Sequence, residues 1–240
     1  MALKNAKIIT VTSVKGGTGK STLVLNLALE LARRKNKILI VDLDLYTGAI
    51  AMLLKVESSN NVFHFAADLM MNTFSDTSDY IKKYNDYIYV LPAPVDPRSV
   101  SRINVKYINT LIRKLVHMYD VILIDTNHIV DAVKLVSMDL SDQIVYVMTD
   151  DIVDMRNMKT MISIYKDMDK HNYKIILNEA LSHANYNKYD VKNVVNADID
   201  YVLPKKFYNK NIQKDILEGK IPQMARCEEI ISEIVDGLLK

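Results

Sequence analysis

The chemistry in this sequence is concentrated in one short run, Ser13-Val14-Lys15-Gly16-Gly17-Thr18-Gly19-Lys20-Ser21. The whole chain has 6 glycines, and three of them, Gly16, Gly17 and Gly19, fall in this run. Glycines let successive backbone N–H groups turn inward around an anion. A helix following the run would add the partial positive charge of its N-terminus. Lys20 can then reach the outer phosphates of a nucleotide, and the Ser21 hydroxyl can ligate Mg²⁺. Thr18 and Thr22 supply further polar groups at the same place. The strict Walker A pattern needs glycine six residues before its lysine, and that position here is Val14.

Carboxylates stand at two other places. Asp42 and Asp44 flank Leu43 at the end of an apolar run, and alternation along an extended chain puts them on one side. One can support a Mg²⁺ shell while the other orients an attacking water. Asp125 ends the run Val121-Ile122-Leu123-Ile124, the placement of an acid that holds Mg²⁺ through water. His128 follows in the next loop, as a phosphate contact, a proton relay or a plain surface histidine. Asn178 ends another apolar run, either as a plain turn asparagine or as an amide that offers a donor and an acceptor side by side.

Parallel strands and helices must position these groups. Apolar β-branched runs predict strands over 7–12, 37–42, 87–91, 121–125, 143–149, 173–177 and 201–203. Several lack alternation, as expected of strands covered on both faces. Helical spacing runs over 21–34, 101–119 and 151–168. Strand–helix–strand repetition implies an α/β fold with a doubly wound, mostly parallel sheet. Ligands then bind beyond the carboxyl ends of the strands, where the chemical residues fall. No linker or repeat interrupts residues 1–240, so they read as a single domain.

Bulk numbers narrow the class. One cysteine, Cys227, excludes an internal disulfide framework and a cysteine-only zinc site. The 31 basic and 29 acidic residues give a net charge of +2, too balanced to argue for nucleic acid. Lys205, Lys206, Lys210, Lys214 and Lys220 form a modest basic cluster that reads as a solvated face. The N-terminal residues show no secretory h-region and no run is long enough to span a bilayer, which reads as a cytoplasmic protein.

The run Lys-Gly-Gly-Thr-Gly-Lys-Ser over Lys15–Ser21 resembles the deviant Walker A signature of the MinD/ParA superfamily of P-loop ATPases. The resemblance extends from Ile8 to about Pro222. It implies ATP and Mg²⁺ as cofactors and a homodimer in the ATP state. Lys15 would reach the nucleotide of the partner subunit, and Asp44 would be the residue tied to hydrolysis. Asp42, Asp125 and Ser21 would lie on the metal side. Asn178 and, more weakly, Pro204 and Lys205 would face the base. Thr126-Asn127-His128 departs from the proline-containing loop common in relatives.

Asp42-Leu43-Asp44-Leu45-Tyr46-Thr47-Gly48 is similar to a run of the TadZ/CpaE branch, which belongs to pilus assembly. That implies a positioning switch recruited to a pilus or secretion assembly at a membrane-associated complex or cell pole. The alternatives are a nucleotide-gated scaffold with little hydrolysis, or a partitioning or division-site ATPase acting on membrane or DNA. The C-terminal tail argues against direct lipid binding, because the polar face of its helical pattern is acidic. A docking helix or a dimer contact is the expected role of that tail.

Overall fold

The computed structural model describes residues 5–181, 186, 188–205, 214, 217, 218 and 228–240. Cys227, Gly219 and three of the clustered lysines, Lys206, Lys210 and Lys220, lie outside the described residues.

The strands are β1 (Lys7–Thr12), β2 (Ile38–Leu43), β3 (Lys82–Lys83), β4 (Ile88–Leu91), β5 (Val121–Thr126), β6 (Gln143–Met148), β7 (Tyr173–Asn178) and β8 (Tyr201–Leu203). The described α-helices are α1 (Lys20–Arg33), α2 (Ile50–Leu53), α3 (Val62–Met71), α4 (Val105–Leu115), α5 (Ala132–Leu140), α6 (Ile152–Asp167), α7 (Lys188–Val195) and α8 (Glu228–Leu239). One sheet runs in the order β3-β4-β2-β5-β1-β6-β7-β8. Every pairing is parallel except β3 with β4. From β1 the chain builds outward through β2 and β4, returns to insert β5 beside β1, then continues through β6, β7 and β8. This reversal opens a crevice at the carboxyl ends of β1, β5 and β6.

Burial explains the missing alternation. In β2, Ile38 and Ile40 join the cluster that contains α1 and α8. Leu39 and Val41 join the opposite cluster with α3 and α4. Both faces of the strand are covered, so both sets are apolar. Leu23, Leu27 and Leu31 of α1 are buried at their spacing of four. Met155, Met158, Ile162 and Tyr165 of α6 pack with Ile144, Tyr146 and Ile175 in a third cluster.

The helical pattern over 101–119 is divided. A 3₁₀ segment (Pro97–Arg102) precedes α4, and Ile103 and Asn104 are extended between them. The Asn104 side chain stops continuity by accepting the Lys106 N–H at 3.0 Å, an N-cap that restarts the helix.

The tail forms a docking helix. Ile231, Ile234, Val235 and Leu238 of α8 are buried against α1 and the sheet. Its acidic side meets the basic end of α1: Arg34 Nη1 lies 2.5 Å from Asp236, Arg34 Nη2 donates to Ser232 Oγ at 2.6 Å, and Arg33 Nη2 lies 2.8 Å from Glu228. These carboxylates attract the two arginines that also complement the C-terminus of α1.

Candidate functional site

The phosphate loop joins β1 to α1. Gly17 has φ +76° and Gly19 φ +95°, left-handed backbone that strains any residue with a Cβ. Gly19 occupies the N-cap of α1 with no side-chain cap, which leaves the first N–H groups of the helix available to an anion. Lys20, the first residue of the helix, is buried. Ser21 and Thr22 follow in the first turn of α1, half-buried, and the Thr22 carbonyl accepts from Asn26 at 2.7 Å. Thr18 is buried with its Oγ1 lacking a hydrogen-bond partner. Gly16 lies on the exposed side, where a Cβ would touch the His128 ring at 3.5 Å. The loop faces the start of α6 across a small pocket lined by Lys15, Gly17, Thr149 and Asp151.

The carboxylates gather beside this loop. Asp42 and Asp125 are register partners on adjacent strands. Asp125 is completely buried and neither of its oxygens has a hydrogen-bond partner. Burial pushes its carboxyl up to about 7, against the pull of the neighbouring Ser21 hydroxyl and Lys20 ammonium. Asp42 is raised as well, by burial first and then by the Asp125 charge. Two adjacent buried carboxylates raised in this way, beside Ser21, suit a divalent cation, whose charge would favour the ionised form of each. Among the described residues no three His, Cys, Asp or Glu side chains converge as a metal site by themselves. A metal here would need further oxygen ligands, as a bound phosphate chain provides.

Asp42 and Asp44 do not share a strand face. β2 ends at Leu43, and Asp44 lies in the turn beyond it. Asp42 Oδ1 accepts the Asp44 N–H at 3.2 Å and Oδ2 accepts the Ile50 N–H at 3.1 Å, so Asp42 holds the turn together. The Asp44 carboxylate accepts from the Thr47 hydroxyl at 2.9 Å and from the Thr47 N–H at 3.2 Å. Gly48 is required by close approach, because a Cβ there would lie 2.8 Å from Asp42 Oδ2 and collide with Ala93.

At the other end of the loop, Asn178 closes β7 and is buried. Its Nδ2 donates to the Thr18 carbonyl at 2.9 Å, while Oδ1 has no partner. The amide therefore fixes the phosphate loop and keeps one acceptor open. Leu203 pairs with Asn178, and the half-buried Pro204 follows directly. Lys205 is exposed.

Three contributors were missed in the sequence. Asp151, the N-cap of α6, holds Lys15 at 3.0 Å. Asp154 is buried and accepts the Thr149 N–H at 2.7 Å. Lys134 is buried under the loop, with Nζ donating to the Ser13 carbonyl at 2.8 Å. Its only sequence signal was a lone lysine in the apolar run from Ala132 to Val136.

Comparison with known proteins agrees with this geometry. The family described as AAA domain matches residues 6–183. A septum site-determining protein MinD from Synechocystis is 32% identical over 120 residues, covering 50% of this chain and 44% of that protein. The chain spans about half the length of the curated relatives it matches. A ParA family ATPase from Chlorobium tepidum superposes with a TM-score of 0.82 at 21% identity, over 97% of this chain and 98% of that one. MinD from Pyrococcus horikoshii, solved with Mg-ADP, superposes with a TM-score of 0.77 at 24% identity, over 97% and 94%. The last two establish the shared fold. With the family match over residues 6–183, the chain belongs to the AAA domain family.

Proposed function

We infer that the protein is a Mg²⁺-dependent ATPase that works as a positioning switch, dimerising with ATP and separating after hydrolysis. One observation carries this reading: a glycine-shaped phosphate loop is backed by the buried, adjacent carboxylates of Asp42 and Asp125. Ser21 and Asp125 are the residues that would hold Mg²⁺, with Asp42 adding charge behind them while its oxygens organise the turn. A metal held there would supply positive charge to offset the negative charge that develops during phosphoryl transfer. The loop N–H groups and Lys20 hold the phosphates, Asp44 orients the attacking water, and Asn178 Oδ1 accepts from the base.

Two features support dimerisation. Lys15 lies half-exposed at the mouth of the site. Ile129 and Val130 in the loop after β5, and Ile152 and Val153 in the first turn of α6, are exposed apolar residues flanking it. The run from Asp42 to Gly48 supports a pilus or secretion assembly as the setting. Among the described residues no helix is long and apolar enough to cross a membrane.

A second reading, a nucleotide-gated scaffold with little turnover, is favoured by the Asp44 carboxylate, which is folded onto Thr47. Phosphate release with and without EDTA, together with light scattering in ATP and ADP, separates the two. Mg²⁺-dependent release with an ATP-specific dimer supports the switch. A stable ATP dimer without release supports the scaffold, and no nucleotide effect on either measurement overturns both.

A further inference from the structure

Lys134 is 1% exposed, one of the largest fully buried side chains in the protein. Among the described residues it forms no ion pair with a carboxylate; Asp131, whose charge acts on it, caps the same helix through the Lys134 N–H at 2.8 Å. A cation so placed is costly to bury and needs a compensating task. Its Nζ has two acceptors, each on a different loop: the Ser13 carbonyl at 2.8 Å, where β1 enters the phosphate loop, and the His128 carbonyl at 3.5 Å, at the outer limit of bonding.

The same two loops meet a second time where the His128 ring lies against Gly16. The loop after β5 is otherwise braced internally. Asn127 Oδ1 accepts the Ile129 N–H at 3.0 Å, and Asn127 Nδ2 donates to Asp131 at 3.3 Å. Among the described residues its links to the phosphate loop are the Lys134 ammonium and the His128 ring.

We propose that Lys134 is a positioning residue that transmits occupancy of the phosphate loop to the loop over residues 126–131. It rests on the ATPase reading and assigns regulation to that same site. The short bond to Ser13 stays with the phosphate loop, whereas the stretched bond to His128 strengthens when the second loop closes over the terminal phosphate. That difference between open and closed positions is what lets a nucleotide shift the loop. Burial, with the nearby Lys20 charge, lowers the Lys134 ammonium to about 8, so the negative charge of bound phosphates favours keeping it charged.

The test is hydrogen exchange with Mg²⁺ and either ATPγS or ADP, read separately over the phosphate loop and over residues 126–131. In the unsubstituted protein ATPγS should protect both segments, and ADP mainly the first. In Lys134→Met, phosphate-loop protection should remain while protection over 126–131 falls to the ADP level. Turnover should drop roughly 10- to 100-fold with little change in KM for ATP. If Met does not give folded protein, Lys134→Gln carries the same test, and Lys134→Arg should restore part of the loop protection.

Unchanged ATPγS protection over 126–131 in a folded neutral variant overturns the proposal. So does equal loss over both segments, which makes Lys134 a support of the phosphate loop alone. Failure of both neutral variants to fold assigns it to stability and also overturns the proposal. If the unsubstituted protein shows no phosphate-loop protection by either nucleotide, it is the ATPase reading that fails.

Discussion

Lys15 Nζ lies 3.0 Å from Asp151 Oδ2 within the same chain. The lysine that would enter a partner's site is therefore held at home, by a residue that also caps α6 through the Val153 N–H at 2.9 Å. The pair is half-exposed, and exposed ion pairs exchange readily for stronger partners. Lys15 can leave Asp151 for phosphate without disturbing the fold.

Lys15→Ala should bind ATP within a few-fold of the unsubstituted protein and fail to form the ATP-dependent dimer. Equilibrium nucleotide binding and light scattering, run on the same sample, check both halves. A normal dimer would remove its role across the interface.

Asp151→Asn keeps a good N-cap while deleting the charge that holds Lys15. The ATP-dependent dimer should then form at a few-fold lower protein concentration, with thermal stability unchanged. A weaker dimer would mean that Asp151 serves the interface itself.

Lys20→Ala should lose both nucleotide binding and hydrolysis, because Lys20 is the buried cation at the start of α1. Asp44→Ala should lose turnover by roughly 10²–10³-fold, a size typical of a lost charge contact in an active site, and still dimerise with ATP. Phosphate release and light scattering separate the two. Full activity in either variant contradicts the site assignment.

Asn178 has its donor committed to the Thr18 carbonyl and its acceptor open. An acceptor suits the exocyclic amine of adenine and opposes the carbonyl of guanine. ATP should therefore outcompete GTP. Asn178→Ala should narrow that preference and weaken ATP by about tenfold, the cost of leaving buried polar groups unpaired. Competition binding with the two nucleotides measures both.

Asp154 gives a pH signature. Burial raises its carboxyl from the ordinary 3.8 to about 6, although Thr149 donates to it twice. Between those values the folded chain holds a proton that the unfolded chain has lost. The Asp154 contribution therefore falls as pH rises through that window and is level above it. Comparing melting temperatures of the unsubstituted protein and Asp154→Asn from pH 4 to 7 should show a gap that changes mainly below pH 6, in favour of the asparagine as pH rises. A constant gap would contradict the shift.

The sequence carried the framework well. β2 and β5 are apolar on both faces over Ile38–Val41 and Val121–Ile124, a pattern that only covered parallel strands need, and Leu23, Leu27 and Leu31 marked α1. The loop between β1 and α1 was legible because its glycines answer to backbone geometry alone. What stayed hidden depends on distant partners. Alternation could not place Asp44, because the Asp42 side chain ends the strand by binding the Asp44 N–H. β3 is two residues long and exists only through β4. Lys134 acquires its partner only when the fold puts the Ser13 carbonyl over it.

The two ends of α1 do different things. Its first residue serves the phosphate loop, and its last turn is clamped to α8 through Arg33 and Arg34. Fourteen residues of helix separate them by about 21 Å. The solvent side of α8 is thus a safe address for instrumentation. A dye or spin label at Glu229, exposed on that helix, would ride rigidly with the sheet and leave the nucleotide crevice unobstructed. The separation between two such labels would then read subunit association directly.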